Sequence, residues 1–171
     1  MMGLFDEIKE RIKPASIVLD IGSGIRPQQI ISCDTHYCVE PYGPYRAELK
    51  RKYPHVSTMD CDWERCTRSF KPRSVDTIFL LDVIEHLDKS IATDLLERTI
   101  PIARKQVVVF TPLGFVEQSH PDGVDNWGMK GGAWQEHKSG WWPNDFEGWD
   151  ITIDYTFHGE HGAFFSIKDI K

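Results

Sequence analysis

The chain has 171 residues, 40% hydrophobic and 12% aromatic, with 20 Lys and Arg against 26 Asp and Glu for a net charge of −6. That length suits one domain with a full core and leaves no room for a second substrate-binding domain, and the aromatic content excludes a disordered chain. An acidic balance argues against nucleic acid as the main partner, because phosphate binding draws on a basic face. No apolar run approaches the ~20 residues that span a bilayer. The first ten residues carry Asp6, Glu7 and Glu10 where a signal peptide needs a continuous apolar stretch, so a cytoplasmic protein with no membrane partner is expected. Cys33, Cys38, Cys61 and Cys66 form two pairs with four residues inside each. The spacing is looser than that of zinc knuckles, so reduced thiols without a metal are the expectation.

In chain order, Leu4, Phe5, Ile8 and Ile12 at helical spacing predict a short amphipathic helix over 4–12, stopped by Pro14. Residues 16–21 form a β-branched apolar run that ends in a glycine turn at 22–24, the pattern of a buried strand and a loop. A second strand is expected over 36–40, after which Pro41, Gly43 and Pro44 break the chain. Residues 45–53 are helix-compatible, 55–59 suit a third strand, and 62–70 a short helix. The strongest strand pattern covers 75–81 and ends at Asp82. Residues 91–100 make the central helix, with Leu95 and Leu96 on its buried side and Pro101 at its end, and 106–111 form another apolar strand. Strands apolar on both faces and alternating with helices imply a parallel sheet covered on both sides.

Periodicity is lost from 112 to 142, a stretch rich in Gly, Trp, His and Pro. Structureless connections beyond ~12–15 residues are usually lids or binding loops, so this one is expected to be a lid or an acceptor-side insertion of the single domain 1–171. A short helix over 143–148 and two alternating strands, 151–157 and 162–167, follow; with 158–161 as the turn, they read as an antiparallel edge hairpin.

The chemistry concentrates at strand ends. Asp20, Gly22, Ser23 and Gly24 stand at the carboxyl end of the first strand, where open α/β sheets bind ligands. Glu40, ending the second strand, can accept hydrogen bonds from the vicinal hydroxyls of a ribose. Arg26 takes the place of a third glycine and little chain remains for a helix, so a pyrophosphate anchor is missing. A nucleoside ligand with no phosphate anchor fits S-adenosylmethionine best.

On the segments Val18–Gly24, Val39-Glu40, the Asp60 region and Ser74–Leu87, with its Asp82-Val83-Ile84-Glu85-His86-Leu87, the chain resembles the class I S-adenosylmethionine-dependent methyltransferases over roughly residues 16–111. The resemblance implies a Rossmann-like, mostly parallel seven-stranded sheet with helices on both faces and a C-terminal antiparallel hairpin. It also implies that Asp20, Gly22, Ser23 and Gly24 surround the methionine part and ribose, and that Glu40 binds the ribose hydroxyls. Asp60 would meet the adenine amine, with Asp62 as its rival. Cys61 would offer a backbone amide, and Asp82 would lie by the methionine end. If helical, Asp82, Glu85 and His86 would share one face; a divalent ion or a shaping role in the pocket are both open, the second preferred.

The implied reaction is methyl transfer to an oxygen or nitrogen of a small-molecule or glycan-like acceptor, with His137, His86 and His120 as candidate bases. Two other classes stand beside it: an NAD(P)-dependent oxidoreductase on a similar fold, and a catalytically silent S-adenosylmethionine-binding module. Five of the six tryptophans, Trp127, Trp134, Trp141, Trp142 and Trp149, follow residue 126. They suit either stacking on a substrate or pinning the long loop to the sheet.

Overall fold

The structure is a computed structural model and describes residues 3–171. Seven strands form one sheet: β1 (Ile17–Ile21), β2 (Thr35–Val39), β3 (Ser57–Met59), β4 (Val75–Leu81), β5 (Ala103–Pro112), β6 (Asp150–His158) and β7 (His161–Asp169). Their order is β3-β2-β1-β4-β5-β7-β6. The first five run parallel; β7 inserts antiparallel between β5 and β6, which forms the edge. The expected Rossmann-like sheet and its closing hairpin are both present. The central strands are buried on both faces, which explains their continuous apolar sequences.

One face carries α1 (Leu4–Arg11), whose Leu4 and Ile8 pack with Val18, Phe79, Val108 and Phe165. On the same face Leu49 of α2 (Gly43–Lys52) covers Cys38. The other face buries Cys66 of α3 (Trp63–Ser69) and Ala92, Leu95 and Leu96 of α4 (Lys89–Thr99) against Leu19, Ile78 and Val107.

Two local expectations are corrected. Gly43 and Pro44 do not break the chain; they open α2, since a proline in the first helical turn forfeits no hydrogen bond there. The helix expected over 143–148 is only a 3-10 turn, Pro143–Asp145. Residues 22–34, all described, link β1 to β2 without any helix. Instead the Asp20 carboxylate accepts the Gln28 amide at 2.7 Å, and the buried Gln28 side chain takes the amides of Ile30 and Ile31 and donates to the Ile31 carbonyl. Among the described residues no helix is long and apolar enough to cross a membrane.

Candidate active site

β1 and β4 lie side by side, and the turns that leave their carboxyl ends face each other. After β1, Gly22 and Gly24 adopt φ of 73° and 58°. A Cβ at Gly22 would stand 2.8 Å from Val83, and one at Gly24 2.7 Å from Trp127, so both conformation and space require glycine. After β4, Asp82 itself takes φ 53°, a left-handed backbone that a side chain rarely tolerates and that clusters at functional sites. A 3-10 turn, Ile84–His86, follows it. Asp82, Glu85 and His86 therefore do not share the face of an α-helix, which corrects that expectation.

The turn still sets Asp82 and Glu85 together on the wall of one cavity. Glu85 is fully buried and accepts the Thr111 hydroxyl at 3.0 Å. Burial and the neighbouring Asp82 hold its carboxyl well above the usual carboxylate range. Asp82 is exposed to the open cleft; the protein walls around it raise its pKa, and the Arg26 charge pulls the other way. Burial and the Asp82 charge thus favour the neutral form of Glu85, whose Oε1 is buried without a hydrogen-bond partner.

Glu40, just past β2, is 5% exposed. Its Oε2 accepts the Gly24 amide at 3.0 Å and its Oε1 the Tyr42 amide at 2.7 Å. Burial raises its pKa; those amides and the Arg46 charge pull the other way. A carboxylate can accept about four hydrogen bonds, so lone pairs remain on both oxygens.

Two adjoining cavities occupy this rim. The smaller, 250 Å³, is bounded by Glu40, Tyr45, Asp62, Trp63, Val83 and Trp134. The larger, 710 Å³, is bounded by Asp20, Ser23, Asp82, Glu85, Trp127 and His137 among others. Gly22, Asp82, His86 and Gln135 line both, so the two form one cleft.

Two histidines meet in it, with ring centroids 5.0 Å apart. His86 Nδ1 lies 3.2 Å from the Glu136 carbonyl, and His137 Nδ1 lies 2.7 Å from the Val116 carbonyl. A carbonyl can only accept, so each Nδ1 carries the proton and each Nε2 is left with a lone pair. Burial depresses His86 to about 4 and lowers His137, outweighing the carbonyl contacts that favour charge. Both rings are neutral bases at neutral pH.

The remaining expected residues divide. Asp20 and Ser23 are buried and line the larger cavity. Asp60 does not reach the cleft: Arg46 of α2 holds its carboxylate at 2.9 Å, and the side chain is 73% exposed. Cys61 packs against the core and lines neither cavity. The cleft receives Asp62, which caps α3 by accepting the Arg65 amide at 2.8 Å. A capping Asp before a helix is legible in sequence, and of the two rivals it is Asp62 that borders the cleft. His120 packs its Cβ toward Gly132 and lines neither cavity.

The segment after β5 crosses the rim above the cleft. Asp125 organises it, with Oδ1 accepting the amides of Trp127 and Met129 and Oδ2 that of Gly131. The buried Tyr45 hydroxyl of α2 donates to the same carboxylate at 2.5 Å and ties the segment down. Further on, the Glu85 carbonyl accepts the amides of Lys138 and Ser139 at 2.7 and 3.1 Å. The tryptophans split by role: Trp141 is buried in the core and Trp149 packs against it, whereas Trp127 and Trp134 face the cavities.

No family profile matches the chain, and no curated protein matches it in sequence. Solved structures do match in fold. Magnesium protoporphyrin IX methyltransferase from Synechocystis with bound S-adenosylhomocysteine aligns at TM-score 0.63 and 14% identity, over 98% of this chain and 81% of that one. A 1,6-didemethyltoxoflavin-N1-methyltransferase from Burkholderia thailandensis aligns at 0.65 and 11%, over 99% and 79%. An S-adenosylmethionine-dependent methyltransferase from Archaeoglobus fulgidus aligns at 0.59 and 13%, over 97% and 95%. The chain has the fold of these enzymes.

Proposed function

We propose that this chain is an S-adenosylmethionine-dependent methyltransferase acting on a hydroxyl or amine of a small molecule, with His137 as the general base and His86 beside it. The observation that carries the proposal is the single cleft that joins a ribose-type carboxylate, Glu40, to two neutral imidazoles with free Nε2 atoms. The fold shared with enzymes crystallised with S-adenosylmethionine or S-adenosylhomocysteine supports the same reading.

The residues fit the adenosyl part. Glu40 is held rigid by two backbone donors with lone pairs to spare, and the smaller cavity is walled by aromatic and aliphatic side chains with Asp62 at its edge. A dinucleotide fits less well, because the glycine turn leads into a loop rather than a helix whose N-terminus could meet a pyrophosphate. When bound, the cofactor supplies a methyl group already activated by its sulfonium.

The chain's own work is alignment, exclusion of water and proton removal. Asp82, still partly ionised near neutrality, offers negative charge where the two cavities meet, suited to a cationic ligand. His137 presents Nε2 to the larger cavity and can take the proton of an acceptor hydroxyl or ammonium there. The segment 112–142, carrying Trp127 and Trp134, is a lid over the acceptor side.

Methyl-labelled S-adenosylmethionine with a panel of small phenols, alcohols and amines tests this reading. His137→Ala should lower turnover roughly 10²-fold or more, the usual worth of a positioned base, and leave affinity for S-adenosylhomocysteine unchanged. Turnover by the folded variant equal to wild type would remove His137 from the mechanism.

A further inference from the structure

Behind the glycine turn, on the sheet face that α1 covers, lies a group of metal-ligating side chains of which only Asp20 also borders the cleft. His36 and Cys38 are two residues apart on β2 and so point the same way. The pairing of β1 with β2 sets Asp20 opposite Cys38, on that same face. Ligand atoms of Asp20, His36 and Cys38 all lie within 4.8 Å of one another. The His36 side chain is only 9% exposed, and its Nε2 is buried 3.5 Å from Asp20 Oδ2 without a hydrogen-bond partner. An orphaned buried nitrogen is costly and calls for an explanation such as an ion. Cys38 is a fully buried free thiol. Cys33, where the loop 22–34 returns to the sheet, is a half-buried free thiol outside that 4.8 Å group but packed against the same face of the sheet.

We propose that Asp20, His36 and Cys38, with Cys33 as the fourth ligand, form a structural zinc site that staples the loop 22–34 to β1 and β2. An imidazole, two thiolates and a carboxylate are the mixed set that a borderline-soft, tetrahedral ion selects, whereas magnesium and calcium require oxygen throughout. Four protein ligands leave no open position, so the site is structural. On binding, Cys33 and Cys38 each release a proton to solvent, His36 donates the lone pair of its neutral Nε2, and Asp20 binds as the carboxylate. Burial raises both thiols, so the ion must displace their protons. Cysteine spacing carries no zinc signal here because His36, between Cys33 and Cys38, and Asp20, from the neighbouring strand, complete the set only on folding. The staple would stand where the connection has no helix to hold the glycine turn.

The test titrates Co²⁺ into the full-length, chelator-stripped, reduced chain with no adenosyl ligand or acceptor present, so its outcome is independent of methyl transfer. One equivalent should give a tetrahedral spectrum with a thiolate-to-cobalt charge-transfer band, displaced by Zn²⁺. Cys38→Ser should abolish the band, Cys33→Ser should weaken it, and the double variant Cys61→Ser, Cys66→Ser should leave it intact. Because Cys38 is fully buried and its variant could fail to fold, His36→Gln at the partly exposed start of β2 gives a second measure. It should weaken Zn²⁺ binding by at least ~10–100-fold, since even the outer partners of ligands are worth that much. Absence of the band in the wild type, its survival in folded Cys38→Ser, or its loss in the Cys61, Cys66 variant would each overturn the site. An unchanged band in Cys33→Ser would overturn the loop-stapling, four-ligand site.

Discussion

Acid should destabilise this protein through His86. Burial in the cleft depresses its pKa to about 4, against ~6.5 in an open chain. A base whose folded pKa lies below its unfolded one binds its proton first in the unfolded state. Its contribution is therefore complete above the unfolded value and is lost as the pH falls toward the folded one. A gap of about 2.5 units at ~1.36 kcal/mol each amounts to ~3 kcal/mol, most of it lost between about pH 7 and about pH 4.5. His86→Gln isolates this contribution, because the amide can still donate to the Glu136 carbonyl and cannot titrate. Urea unfolding of both proteins at the two pH values is the assay. The wild type should lose ~2–3 kcal/mol more than the variant on acidification. His137 and the Asp82–Glu85 pair titrate in both proteins and cancel to first order. Parallel losses would show that the ring is solvated and that its neutrality in the cleft is not enforced.

Gly24→Ala should cost ~1–3 kcal/mol, since it places a side chain at φ 58° and drives a Cβ to 2.7 Å from Trp127; a melting temperature equal to wild type would mean that Trp127 does not rest on the turn. Glu85→Gln should alter the pH dependence of stability. A carboxyl with a raised folded pKa contributes stability that is present below its unfolded value and lost as the pH rises through the folded one. The variant should therefore gain on the wild type as the pH climbs from about 4.5 upward through the folded value, in urea melts across that range; a constant difference would refute the raised pKa of Glu85.

Much of the fold is legible because its strands are double-sided. Ile78–Leu80 and Val107–Val109 are apolar without alternation, and only burial between two helical layers produces that pattern. The closing hairpin is equally legible, though β6 and β7 each outrun the alternating stretches that signal them. The glycine turn and Glu40 could be read because their offset follows strand ends. What could not be read depends on distant side chains. Arg46 draws Asp60 outward and leaves Asp62 to the cleft. Tyr45 reaches across 80 residues to Asp125 and holds the long segment over the rim. His86 and His137 come together because the Glu85 carbonyl takes the amides of Lys138 and Ser139. The left-handed Asp82 defeats a helical reading, because periodicity carries no information about a single residue's φ.

Calorimetric titration of the purified chain with S-adenosylhomocysteine and, separately, with NAD tests the central claim most directly. The account predicts one equivalent of S-adenosylhomocysteine bound, no detectable NAD binding, and a loss of about 1.5–3 kcal/mol in folded Glu40→Ala, the worth of hydrogen bonds to a charged acceptor. NAD binding in the absence of S-adenosylhomocysteine binding would contradict it.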